Sequence, residues 1–224
     1  LIMFQQSRHY AHQTYQTEQL NFNLIELNSS LDQKVKERTQ QLHQLNAKLE
    51  HQMKIDALTG AFNRRALNSE IQQKFLQSQQ HSHATLLFAM LDVDYFKNYN
   101  DHYGHLKGDE ILQNLVKVIQ ASLPQSGYLA RYGGEEFAIL LGDIPIPVAL
   151  QYLERVIQQV REQQFEHLNR PDGKAWITVS VGAAWISPQH QYADIHALMK
   201  AADVQLYLAK HTGRDQLNFE QGAD

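Results

Sequence analysis

Hydrophobic residues change their spacing near residue 55, and the chain divides there into two regions. Residues 11–54 contain neither Gly nor Pro and are rich in Gln, Leu, Glu and Lys, a helix-forming composition. A seven-residue frame puts Leu24, Leu31, Arg38 and Leu45 at one seam position and Asn28, Val35, Leu42 and Leu49 at the other. The exceptions to an apolar seam are Asn28 and Arg38, and polar seam residues commonly set register and strand number. The reading is a long helix that pairs with its own copy as a coiled coil. The plainer alternative is one amphipathic helix folded onto the rest of the chain. The length of the repeat exceeds what one small domain covers, which favours self-pairing.

The helical pattern stops at Asp56-Ala57-Leu58-Thr59-Gly60. Gly60 breaks it, and Asn63 is placed to cap a helix over 64–80. An apolar run, Thr85–Leu91, reads as a buried strand. Leu106, Ile111, Leu112, Leu115, Val118 and Ile119 give helical spacing over 105–122. Tyr128–Tyr132 and Phe137–Leu141 read as a hairpin around Gly133-Gly134. A helix over 146–164, a strand over Ala175–Trp185, a helix over 193–210 and a last strand over Gln216–Phe219 follow. A hairpin within alternating strands and helices predicts an α/β (α+β) domain, a mixed sheet flanked by helices. The expected division is a signalling helix, 1–54, and a globular domain, 55–224.

Composition narrows the function. Of 224 residues 43% are hydrophobic, enough for a core, which argues against wholesale disorder. A formal net charge of −4 argues against a duplex nucleic-acid binder, without excluding a basic pocket for a phosphorylated small molecule. The absence of cysteine removes disulfides, zinc fingers and iron–sulfur clusters, and fits a reducing compartment. No apolar run reaches the roughly 18 to 20 residues that span a bilayer. The opening Leu-Ile-Met-Phe leaves two readings: the end of a membrane helix in a parent anchored upstream, or the frayed start of an ordinary helix.

The chemistry concentrates in carboxylates. Asp92 ends an apolar strand, a costly position unless it serves something. Glu135 and Glu136 stand side by side after Gly133-Gly134, with no basic residue between them. If the strand ending at Asp92 pairs with the hairpin, three carboxylates converge. A hard dication, Mg²⁺ or Mn²⁺, with a bound nucleotide is the economical partner. Asp94, three residues before Lys97, reads as a helix cap rather than a ligand. The remaining histidines lack metal-ligand spacing. Taken singly, each Asp or Glu reads as a solvated turn residue, and Lys210 and Arg214 as a charge pair at a helix C-terminus.

Arg131-Tyr132-Gly133-Gly134-Glu135-Glu136-Phe137 resembles the signature of the diguanylate cyclase, or GGDEF, family. Asp56–Arg65, Asp92–Lys97, Asn100–Asp109, Thr178–Gly182 and Asp203–Lys210, then Gly213-Arg214, resemble its other motifs in order. The likeness covers residues 55–219. It implies a ferredoxin-like palm core of the nucleotidyl cyclase type. It further implies that Asp92, the Val93 carbonyl and Glu135 bind metal, with Glu136 supporting. Glu135 and Lys97 are the implied catalytic residues, Glu135 accepting the ribose 3′-hydroxyl proton. Asn100 and Asp109 are implied to contact the guanine edge, with His105 and Phe96 in the same stretch. Lys97, Lys210 and Arg214 are implied to neutralise a triphosphate, and Gly133 and Gly134 to let substrate approach the backbone. Adenine would leave Asp109 without its donor pair.

The implied activity is Mg²⁺-dependent condensation of two GTP into cyclic di-GMP and two pyrophosphates by a homodimer joined through the N-terminal helix. The implied location is the bacterial cytoplasm, or the cytoplasmic part of an inner-membrane protein. One departure stands out. The Arg-x-x-Asp product site of many members is replaced here by Pro124-Gln125-Ser126-Gly127, so product inhibition through it is not expected. The alternative functions are a catalytically silent module that binds GTP or cyclic di-GMP, a coiled-coil scaffold, and an adenylyl-type cyclase.

Overall fold

A computed structural model describes residues 31, 33–42, 54–80 and 84–220. The chain divides into two compact units, Leu1–Met53 and Lys54–Asp224. In the first, residues 33–42 are helical. Seam residues Leu31, Val35 and Leu42 are 56%, 57% and 60% exposed. Leu24, Asn28, Leu45 and Leu49 lie outside the described residues.

The second unit follows the alternation of the sequence. Its elements are β1 (Phe62–Asn63), α1 (Arg64–Gln80), β2 (Leu86–Val93), α2 (Phe96–Tyr103), α3 (His105–Ser122), β3 (Tyr128–Gly133), β4 (Glu136–Gly142), α4 (Ile146–Glu162), β5 (Val179–Ile186), α5 (Ile195–His211) and β6 (Leu217–Phe219). The sheet runs β1-β3-β4-β2-β5-β6. Its inner pairs β3–β4, β4–β2 and β2–β5 are antiparallel, and its outer pairs β1–β3 and β5–β6 are parallel. All eight residues of β2 are buried, because strands and helices enclose it on every side. That is why its sequence is a continuous apolar run rather than an alternation.

Alternate β2 side chains feed two cores, as the period of a strand dictates. Leu87, Ala89 and Leu91 pack with Leu112 and Leu115 of α3 and Leu153 and Val156 of α4. Leu86, Phe88 and Met90 pack with Leu67 and Ile71 of α1 and Leu198 and Leu206 of α5. Phe88 is fully buried, and Phe88→Ala would cost about 3–5 kcal/mol in lost transfer energy and cavity. At Gly182 of β5, an added Cβ would lie 1.9 Å from the Leu206 amide nitrogen of α5. Only glycine permits that approach of helix to sheet.

Two expectations change. Leu106 is 81% exposed and does not join the core, although it fits the helical spacing of α3. Its place in the first turn of that helix leaves it in solvent. The strand expected from Ala175 starts at Val179, and Trp176 instead makes an isolated bridge to Glu166.

Candidate active site

The register of β2 against β4 sets Asp92 directly opposite Glu136. The β3–β4 turn makes this possible: Gly134 sits at φ +54°, and pairing shifts between Arg131 and Gly133. A side chain at Gly134 would be strained. Glu135 is thereby held at the turn, half-buried, and Asp92 feels its charge.

Asp92 is buried at the end of β2. Lys210, in the last turn of α5, places its Nζ 2.7 Å from Asp92 Oδ2. Burial pushes the Asp92 carboxyl up to about 6; Lys210 opposes the shift, and Glu135 and Asp94 add to it. A compact cation already lies against this carboxylate, and the neighbouring donors are hard oxygens, so the residues fit a dication. The three carboxylates do not yet converge. Among the described residues, no group of three or more His, Asp or Glu side chains stands within reach of one metal ion. The ammonium of Lys210 occupies Asp92 instead.

Beyond Val93, the chain turns through Tyr95 into α2. Tyr95 is left-handed, at φ +57°, an uncommon conformation for a bulky residue. Its carbonyl accepts from His167 Nε2 at 3.1 Å, and its ring lies under the guanidinium of Arg214, 4.2 Å away. Arg214 also donates to the Tyr95 hydroxyl at 3.0 Å. Burial lowers the His167 pKa and favours the neutral ring, while the bond to the Tyr95 carbonyl opposes that shift.

Asp94 is not a helix cap. The residue capping α2 is Tyr95, which makes no side-chain cap bond. Asp94 is 1% exposed and accepts from Thr178 Oγ1 at 2.6 Å, Ser180 Oγ at 2.7 Å and the Asp215 amide at 3.1 Å. It ties the β2 end to β5 and to the turn after α5. Arg170, buried, pairs with Asp172 and donates to Thr178 Oγ1, extending that network.

The remaining expected residues lie on two neighbouring helices. Phe96 is buried and Lys97 exposed in the first turn of α2. One turn on, Asn100 Oδ1 is buried without a hydrogen-bond partner. In α3, His105 is exposed and Asp109 half-buried. Asp92, Val93, Lys210 and Arg214 therefore gather around the β2 end with Glu136, whereas His105 makes no described contact that ties it to them.

Sequence reasoning left Arg131 without a role. It donates through Nη1 to Asp56 Oδ1 at 3.1 Å and through Nε to the Gly134 carbonyl at 2.9 Å. Asp56 Oδ1 also accepts from the Thr59 amide and hydroxyl. One guanidinium thus joins the turn at the start of the second unit to the turn that carries Glu135.

A family model described as "Diguanylate cyclase, GGDEF domain" matches residues 53–216. The chain belongs to this family. It is 34% identical over 162 residues to the diguanylate cyclase DgcP of Pseudomonas aeruginosa, covering 72% of this chain and 23% of that protein. It is 33% identical over 162 residues to the probable diguanylate cyclase DgcC of Escherichia coli, covering 72% and 42%. The chain thus spans less than half the length of these two relatives. Among solved GGDEF structures, the coiled coil and GGDEF domain of DgcB from Caulobacter crescentus, in complex with c-di-GMP, superposes with a TM-score of 0.71 at 28% identity. The match covers 85% of this chain and 100% of that one. The active GGEEF domain of a Vibrio cholerae diguanylate cyclase gives 0.63 at 30% identity, covering 72% and 98%. The mixed sheet with helices on both faces is the palm-like GGDEF fold. No helix among the described residues is long and apolar enough to cross a membrane.

Proposed function

We propose that this GGDEF domain condenses two GTP into cyclic di-GMP, releasing two pyrophosphates. The observation that carries the reading is the register that sets Asp92 against Glu136 at the signature turn. Lys210, brought in by α5, adds a cation against Asp92, and Arg214 lies nearby on Tyr95.

In this reading the 3′-hydroxyl oxygen of one GTP attacks the α-phosphorus of the other. An O–P bond forms, the bond to the β-phosphate oxygen breaks, and pyrophosphate departs with its electron pair. Glu135 accepts the hydroxyl proton. A second such step closes the ring. Asp92, the Val93 carbonyl and Glu135 would hold Mg²⁺ or Mn²⁺, with Glu136 supporting. When bound, the metal supplies positive charge to the phosphates and to the oxygen under deprotonation. Lys210 and Arg214 bind triphosphate oxygens, and Lys97 adds a cation at the N-terminus of α2, where backbone N–H groups favour anions. Gly133 and Gly134 leave the turn open to substrate.

Guanine lies against Phe96, Asn100 and Asp109, with His105 at the margin. Buried polar atoms seldom lack a partner, so the free Asn100 Oδ1 supports a ligand that brings a donor. Guanine brings N1–H and the 2-amino group. Each domain holds one GTP, so two must face each other. The exposure of Leu31, Val35 and Leu42 supports pairing through the N-terminal helix into a homodimer. Tethering would set an effective concentration of order millimolar. The turn Pro124–Gly127 carries neither Arg nor Asp, so product does not inhibit there. A cytoplasmic setting, where GTP and Mg²⁺ are available, completes the proposal.

The test is product analysis. Purified chain with GTP and Mg²⁺ should yield cyclic di-GMP, and ATP should yield no cyclic dinucleotide. GTP binding without turnover would favour the silent-module reading, and equal use of ATP would exclude guanine recognition by Asn100 and Asp109.

A further inference from the structure

Gly108 lies inside α3, where glycine is disfavoured relative to alanine. Its backbone does not require glycine. Its φ lies outside the left-handed region, and its amide donates to the Gly104 carbonyl at 3.1 Å as a helical residue should. The reason for glycine is on the neighbouring helix. A Cβ added at Gly108 would lie 1.9 Å from Asn100 Oδ1, 3.0 Å from Asn100 Cγ and 3.2 Å from Phe96 Cζ. The Asn100 amide occupies the volume that any side chain at 108 would fill. Phe96, buried, also borders that volume.

We propose that Gly108 is a positioning residue for base selection, its missing side chain being the slot that holds the Asn100 amide in place. The proposal rests on the reading of Asn100 as a guanine contact. Two observations meet here. Asn100 Oδ1 is held in a buried slot, and it has no partner within the protein. An acceptor kept dry and unsatisfied is costly unless a ligand supplies a donor. The next residue in α3 is Asp109, so the turn that clears space for one base contact also carries the other.

The hard clash would fall on the end of the Asn100 side chain, and Phe96 Cζ need yield only a few tenths of an ångström. Asn100 can rotate out of the slot while both helices stay where they are. Gly108→Ala therefore removes the base contact and leaves the fold intact. Gly182→Ala is the opposite case, because its Cβ would meet backbone atoms of α5.

The experiment compares Gly108→Ala, Asn100→Ala and the double variant in the full chain. Turnover is measured with GTP and with ITP, which lacks the 2-amino donor, and thermal melting is recorded for each. Gly108→Ala should raise KM for GTP about tenfold with kcat within about twofold, a loss of uniform binding. Its preference for GTP over ITP should fall to that of Asn100→Ala. In the double variant the second change should add less than about twofold, since both act through one amide. The melting temperature of Gly108→Ala should not fall. If Asn100→Ala loses affinity and preference while Gly108→Ala keeps both, the slot is refuted and the guanine reading stands. If Asn100→Ala changes neither, the guanine reading fails and takes the slot with it. Effects that simply multiply in the double variant, or a lowered melting temperature for Gly108→Ala, would also overturn the proposal.

Discussion

Replacing Asp94 with alanine should cost this domain much of its stability. The carboxylate is 1% exposed and accepts three hydrogen bonds, from Thr178 Oγ1, Ser180 Oγ and the Asp215 amide. Truncation leaves two hydroxyls and one amide without their acceptor in a buried setting. Each unsatisfied group costs about 1–3 kcal/mol, and partial relaxation brings the sum to about 3–5 kcal/mol. A domain of this size holds a total stability of about 5–15 kcal/mol. Asp94→Asn keeps the shape and one acceptor oxygen, and a hydroxyl can rotate to accept from the new amide. Its cost should be about 1–2 kcal/mol. Equilibrium urea unfolding measures both. With a slope of about 2 kcal/mol per molar, Asp94→Ala should lower the midpoint by about 1.5–2.5 M. A loss below about 1 kcal/mol, comparable to that of an exposed helix cap, would refute the network reasoning.

Other consequences are directly measurable. Arg131→Lys cannot reproduce both bonds of the guanidinium, so kcat should fall about tenfold while stability drops only about 1–2 kcal/mol; assays at saturating GTP and thermal melts separate the two. Asp92, raised to about 6 from an ordinary 3.8, holds a proton between about pH 4 and 6 that the unfolded chain has released. Its contribution to stability therefore falls as pH rises through that window. The difference in unfolding free energy between wild type and Asp92→Asn should shift against wild type by about 1–3 kcal/mol from pH 4 to pH 7 in metal-free buffer. Added Mg²⁺ should recover stability at pH 7 in wild type alone, because Asp92→Asn carries no ionised carboxylate to bind it. Deleting residues 1–53 should make activity per domain depend on enzyme concentration in the low micromolar range, and unchanged specific activity would remove the tethering role.

Periodicity made most of the fold legible. The bounds of α1 and α3 follow the expected helices, and α3 stops where Leu123 turns extended. Strand β2 was legible as a buried run, and extends only far enough to include Asp92 and Val93. Asp94 was misread for a physical reason. Local spacing made it a cap, while its partners Thr178 and Ser180 stand 84 and 86 residues away and leave no local pattern. The same holds for Asp215, which pairs with Arg161 across 54 residues, and for Arg131 with Asp56 across 75. The two-residue β1 is too short to show any alternation. The acidic residues were legible individually; that Lys210 sits against Asp92 required the packing of α5 on the sheet.

The central claim is that Glu135 and Asp92 act together on a bound guanosine triphosphate. Its most direct test is cyclic di-GMP formation from GTP and Mg²⁺ by wild type and by Glu135→Gln, with the fold of the variant checked by melting. The account predicts at least about a hundredfold loss of rate with melting unchanged, the scale expected when a positioned proton acceptor is removed. A folded Glu135→Gln chain that forms product at the wild-type rate would contradict it.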